Sequence, residues 1–235
     1  MNPGIEVYCD FDGTVTQGDT IDVLLETLGD PKWREIEERW ERGEIGSREC
    51  MALQVPLLKG GWQAIEKQLA QVKVDPTFAE FAGWCRQSGI PLRIVSDGID
   101  RVIHHLLQRE GVRVDYVWAN HLNESETGEL CLSFPYAPTV SGCSSGLCKC
   151  KIIDNGSRKL LRVVIGDGRS DFCWSTEADL LFAKSKLLQH CRSNKIPCVS
   201  FDNFRSIRVA LEKEIGSLVQ SGLAPMPAVG VVTTA

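Results

Sequence analysis

The sequence predicts an α/β protein: a doubly wound parallel sheet with a small helical cap inserted after the first strand. Three observations lead there. Short, apolar, β-branched runs end on glycine and polar residues at 5–9, 91–95 and 160–165, as buried parallel strands do. Helical patterns alternate with them at 78–87, 102–110 and 151–155. Residues 20–72 break that alternation with several helices of their own.

In chain order, IEVYC (5–9) is the first strand, and it runs into Asp10 and Asp12. Helices are expected next at 21–28, 31–42, 47–58 and 62–71. Pro31 suits a first helical turn, and Gly29, Gly43 and Gly60 punctuate the ends. The expected boundaries are a core of residues 1–17 and 73–235 and a cap of residues 18–72. PLRIV (91–95) is the second strand and ends at Ser96-Asp97-Gly98. Residues 118–135 read as a hairpin turning through the polar stretch 124–129, where Gly128 lies. LLRVVI (160–165) ends at Gly166-Asp167-Gly168, and LLFAK (180–184) and PCVSF (197–201) supply two further strands. Residues 223–235 carry no charge and two prolines, which suggests a loose tail.

The chain has 235 residues and a net charge of −5, with none of the Lys/Arg clustering that nucleic acid demands. No apolar run approaches the ~20 residues a membrane helix needs, and the first residues lack a secretory leader pattern. A cytoplasmic protein with no nucleic-acid or membrane partner is expected. Ten cysteines are present, but a chain this long needs no disulfide framework. Cys143, Cys148 and Cys150 form C-x4-C-x-C, which is not the paired spacing of a zinc site, and they read as reduced loop cysteines.

The chemistry lies in DFDGTVT, residues 10–16. Residues two apart on extended backbone face one side, so Asp10 and Asp12 can approach one ligand. A carboxylate that attacks phosphorus splits a hard hydrolysis into two easier steps. A second carboxylate can protonate the leaving oxygen and then deprotonate water. Phosphate oxygens repel an incoming carboxylate, so a divalent cation is needed, and Mg²⁺ suits oxygen ligands. Asp167 is the natural third carboxylate for it, and Asp171 is placed to orient metal-bound water or Lys151.

DFDGTVT, the strand-end Ser96, a lysine before a helix and GDGRSD match in order the four motifs of the haloacid dehalogenase-like phosphatases, and the likeness covers residues 5–208. The resemblance implies Asp10 as nucleophile and Asp12 as general acid/base. It implies Ser96 and the Asp97 backbone as phosphate ligands, and Lys151 balancing charge on nucleophile and phosphate. Mg²⁺ would be held by Asp10, the Asp12 carbonyl and Asp167. Lys149 competes with Lys151, which is favoured because it directly precedes Ile152-Ile153.

The chain resembles most the branch with phosphoserine phosphatase, which carries Glu at the cap entrance where this chain has Asp19. GCSSGLCKCKII and FAKSKLLQHCRS resemble the methionine-salvage methylthio-hydroxyketopentenyl phosphate phosphatases; GLCKCKII and GDGRSDFC also resemble phosphoethanolamine/phosphocholine phosphatases. These subfamilies usually have Gly after the motif serine, where this chain has Asp97. Asp19, Arg48 and Gln54 are the candidates for meeting the non-phosphate end of a small phosphorylated metabolite. A phosphomutase keeps Asp12 as well and stays open as an alternative. A non-catalytic binding domain is disfavoured because it would not require Asp10, Asp12, Lys151 and Asp167 together.

Overall fold

The computed structural model of the chain describes residues 4–138, 144–154 and 160–220, with side chains to residue 217. In chain order, β1 (Ile5–Cys9) is followed by α1 (Thr20–Leu28), α2 (Trp33–Glu41), α3 (Ser47–Gln54), a 3-10 turn (Val55–Leu57) and α4 (Gly61–Leu69). Then come α5 (Phe78–Gln87), β2 (Leu92–Ile99), α6 (Asp100–Arg109), β3 (Tyr116–Glu124), β4 (Leu130–Ser133) and α7 (Lys149–Asp154). β5 (Leu161–Gly166), a 3-10 segment (Arg169–Trp174), β6 (Leu180–Ala183), α8 (Ser185–Asn194), β7 (Val199–Ser200) and α9 (Phe204–Gln220) complete the described chain.

The strands form one sheet in the order β4-β3-β2-β1-β5-β6-β7. Every pairing is parallel except β3 with β4, the hairpin expected around Gly128. The chain winds outward from β1 through β2 and β3, then crosses to β5 on the other side of β1. That reversal opens a crevice at the carboxyl ends of β1 and β5, where ligands of doubly wound sheets bind.

Burial on both faces explains why the strands read as continuous apolar runs. Ile5, Val7 and Cys9 join Ile94, Val163, Ile165 and Phe182 in one layer. Tyr8, between them, joins Val95, Val164 and Leu181 in the other. Successive side chains alternate across the sheet, and both sides are covered.

Some boundaries moved. α3 stops at Gln54, since Pro56 cannot donate within a continuing α-helix, and the chain tightens into the 3-10 turn. β2 runs on through the Ser96 motif to Ile99, but its register against β3 jumps between Val95 and Ile99. Such a bulge re-aims side chains at a sheet's end. α7 begins at Lys149 rather than 151. The predicted tail, 223–235, lies outside the described residues.

The four-helix stretch leaves and re-enters the sheet layer at one place. Thr16 and Val74 form an antiparallel bridge, flanked by Gln17 N–H to Lys73 O (2.9 Å) and Asp75 N–H to Val15 O (2.8 Å). No helix among the described residues is long and apolar enough to cross a membrane.

Candidate active site

The ends of β1, β2 and β5 meet in a cavity of about 520 Å³, which α1, α2 and α3 cover from the far side. Asp10, the first residue after β1, is buried. Its Oδ1 accepts the Phe11 N–H at 2.8 Å and lies 2.8 Å from Lys149 Nζ. No described hydrogen bond occupies Oδ2, and the residue lines the cavity. Burial raises the Asp10 pKa and the Asp171 carboxylate raises it further, against the pull of Lys149.

Asp12, two residues on, lines the same cavity. Its Oδ1 accepts the Thr20 N–H (3.0 Å) and its Oδ2 the Ser96 hydroxyl (3.3 Å). Burial raises its pKa, the direction a proton donor needs. The close fit requires glycine on β2: a Cβ on Gly98 would lie 2.3 Å from Asp12 Oδ2.

Asp167 follows β5 and accepts the Thr14 hydroxyl at 2.6 Å. It sits against Gly13, whose φ of +72° and missing side chain make the approach possible; a Cβ there would lie 2.5 Å from Asp167 Oδ2. Asp171 is fully buried and fully engaged. Its Oδ2 accepts the N–H groups of Asp167 and Gly168, both at 2.9 Å, and its Oδ1 meets Lys149 Nζ at 2.7 Å. Asp171 therefore fixes the turn that carries Asp167.

The lysine is a correction. Lys149, 1% exposed, bridges Asp10 and Asp171 and lies 4.9 Å over the Trp174 ring. Lys151 is exposed. Two residues along a helix is about 200° around it, so only one of the pair can face the site. Ile153 is buried at 0% exposure, and Lys149, four residues before it, shares its face. Burial alone would lower the Lys149 pKa, but Asp10 and Asp171 outweigh it and hold the ammonium charged. Cys148 and Cys150 flank this lysine with sulfurs 3.2 Å apart; Cys143 lies outside the described residues.

Oxygens of Asp10, Asp167 and Asp171 all lie within 4.8 Å of one another. Three carboxylates around one ammonium leave surplus negative charge, and their all-oxygen donor set suits Mg²⁺. Because Asp171 is occupied by its own partners, Asp10 and Asp167 are the carboxylates with capacity to spare.

On the far side, Asp19 caps α1 by accepting the Ile21 N–H at 2.9 Å. Although Asp19 is exposed at the cavity mouth, desolvation by the surrounding protein pushes its pKa up, and Asp12 and Asp22 push it further. Ser47, Cys50, Met51 and Gln54 line the cavity at the i, i+3, i+4, i+7 spacing of one helix face. Gln54 is buried with its amide donating to Glu37 Oε2 at 2.8 Å. Arg48, one position off that face, is exposed and does not line the cavity. Asp22, Glu37 and Trp40, which sequence reasoning missed, do line it.

Residues 7–175 match the family model of the haloacid dehalogenase-like hydrolases. A protein of Geobacillus kaustophilus (strain HTA426) named 2-hydroxy-3-keto-5-methylthiopentenyl-1-phosphate phosphatase is 30% identical over 225 residues, spanning 91% of this chain and 98% of its own. A protein of the same name from Brevibacillus brevis (strain 47 / JCM 6285 / NBRC 100599) is 27% identical over 225 residues, spanning 88% and 95%. Among solved structures, a phospho-aspartyl intermediate analogue of phosphoserine phosphatase is similar in fold. Its TM-score is 0.67 at 21% identity, covering 89% of this chain and 99% of that one.

Proposed function

The chain belongs to the haloacid dehalogenase-like hydrolase family and is a phosphatase, and we propose that it cleaves small phosphate monoesters through a phosphorylated Asp10. The observation that carries this reading is the Asp10 carboxylate, which lines the cavity with one oxygen pinned by Lys149 and Phe11 and the other in no described hydrogen bond. That oxygen attacks phosphorus, and the bond from phosphorus to the ester oxygen breaks. Asp12 gives the leaving oxygen its proton. Water then attacks the aspartyl phosphate, Asp12 takes the water's proton, and phosphate leaves Asp10. Ser96 and the Asp97 backbone hold the phosphate oxygens, and Lys149, in place of Lys151, offsets charge on nucleophile and phosphate. Residues 18–72 act as the cap that excludes water.

Asp10, the Asp12 carbonyl and Asp167 would hold Mg²⁺, which supplies positive charge against the phosphate oxygens when bound. Stripping divalent metal with chelator should abolish turnover of p-nitrophenyl phosphate, Mg²⁺ should restore it, and Ca²⁺ should restore it poorly, because Ca²⁺ takes more ligands at longer distances. Undiminished turnover after exhaustive chelation would remove the metal from the reading.

For the leaving group, the relatives' names point to the methionine-salvage enol phosphate, and the fold likeness extends to phosphoserine phosphatases. A particular observation favours a second reading, a zwitterionic amino-alcohol phosphate. Asp19, Asp22 and Glu37 gather at the cap end, where Lys186 is the cation that acts on Asp22. Carboxylates there outnumber the two cations that line the cavity, Arg169 and Lys186, so the cap end disfavours a purely anionic substrate and attracts an ammonium. Phosphoethanolamine should then exceed glycerol 3-phosphate in kcat/KM by at least about tenfold, and Glu37→Gln should shrink that ratio. Equal values for both substrates would return the choice to the enol phosphate, whose leaving group carries no ammonium.

A further inference from the structure

We propose that Asp97 is a positioning residue that latches the cap onto the phosphate-binding turn through Ser47. The proposal rests on the reading of the cavity as a phosphate-ester site. A carboxylate directly after Ser96 would repel a bound phosphate if it faced the site with its charge unmet. Instead it is turned onto donors from three parts of the chain. Oδ2 accepts the Ser47 hydroxyl at 2.7 Å, from the start of α3. Oδ1 accepts the Leu147 N–H at 2.9 Å and the Asn120 amide at 3.3 Å. The same amide also reaches the Asp97 carbonyl at 2.5 Å.

The surrounding backbone is pressed into the same joint. Arg48 N–H donates to Ser144 O at 3.1 Å, and a Cβ on Gly46 would lie 2.2 Å from the Ser144 Cβ. One carboxylate thus ties the cap helix that lines the cavity to the neighbour of Ser96 and to the segment leading into Lys149. A second polar contact between the four-helix stretch and the sheet, Trp62 N–H to Glu124 Oε1 at 2.9 Å, touches none of these residues. Seating α3 on Asp97 therefore bears on two groups at once: Ser96, which lines the cavity, and Lys149, which holds Asp10 from behind. With Gly at this position the cap would lose its contact through Ser47.

Ser47→Ala removes the cap's half of the latch and leaves every group assigned to chemistry in place. With p-nitrophenyl phosphate and Mg²⁺, it should raise KM, and the inhibition constant of inorganic phosphate, by about tenfold, the population effect of losing a hydrogen bond to a buried charged group. The change in kcat should stay below about threefold, and Ser47→Thr, which keeps the hydroxyl, should restore both constants. Hydrogen exchange read without substrate should quicken across residues 47–54 in Ser47→Ala. Wild-type KM in Ser47→Ala overturns the latch, whatever exchange shows, and so does a fall in kcat without a rise in KM. If the wild-type protein hydrolyses no ester, the phosphatase reading fails; faster exchange would then still support the joint, and unchanged exchange would overturn it.

Discussion

Asp10→Asn should lower turnover of any ester the protein hydrolyses by at least about 10⁴-fold, because the carboxamide is nearly isosteric but does not attack phosphorus. The fold should persist. Lys149 keeps its 2.7 Å contact to Asp171, so no buried ammonium is left bare, and the Phe11 N–H still finds an oxygen. Circular dichroism and a thermal melt test the fold; single-turnover release of p-nitrophenolate tests the chemistry. A folded Asp10→Asn protein at near wild-type rate, with no reversion to Asp by deamidation, would end the covalent mechanism.

Lys149→Met should be the most damaging substitution for stability, with a loss of about 3–5 kcal/mol, the cost of breaking a buried ion pair by removing one partner. Here the cation serves two carboxylates, Asp10 and Asp171. Activity should disappear with it. Lys151→Met, on the exposed side of α7, should change stability by no more than about 0.5 kcal/mol and leave kcat/KM near wild type. The pH dependence carries a sign. Burial and Asp171 already raise the Asp10 pKa, and losing the ammonium raises it further. Folded Asp10 then holds more protons than unfolded Asp10, so the deficit of Lys149→Met should shrink as pH falls through that raised pKa. Urea denaturation at several pH values measures it. Equal damage from both lysine variants would show that the Asp10–Lys149–Asp171 bridge does not carry the stability.

The core was legible because its strands are buried on both faces. IEVYC and LLRVVI announce themselves as apolar runs, and each ends on a carboxylate that the sheet then gathers at one edge. Asp10, Asp12, Ser96 and Asp167 met in the cavity because strand ends are the least ambiguous points of such a pattern. Helical phase was harder. Lys149 and Lys151 differ by two positions, and choosing between them depends on which residue of Ile152-Ile153 is buried, a tertiary fact. Arg48 failed for the same reason: the cavity face of α3 runs through Ser47, Cys50, Met51 and Gln54, 100° away. The carboxylates Asp22 and Glu37 look like ordinary surface acids of amphipathic helices until α1 and α2 are set over the sheet. Asp97 showed only as a departure from glycine; its three donors come from residues 47, 120 and 147, which no local pattern joins.

The bridge between Thr16 and Val74 has a consequence for how such a protein can diverge. It makes the 18–72 stretch a closed side-branch, whose two ends are tied before the sheet is reached. To β1 and β2, the branch is equivalent to a short turn. Residues can be gained or lost inside it without shifting a strand's register, and doubling a loop's length costs only about 0.6 kcal/mol in closure entropy. Mutational drift can therefore rework the surface facing the leaving group while Asp10 and Asp167 stay where the sheet holds them. A lineage built on this plan can exchange one substrate for another while its reaction stays the same.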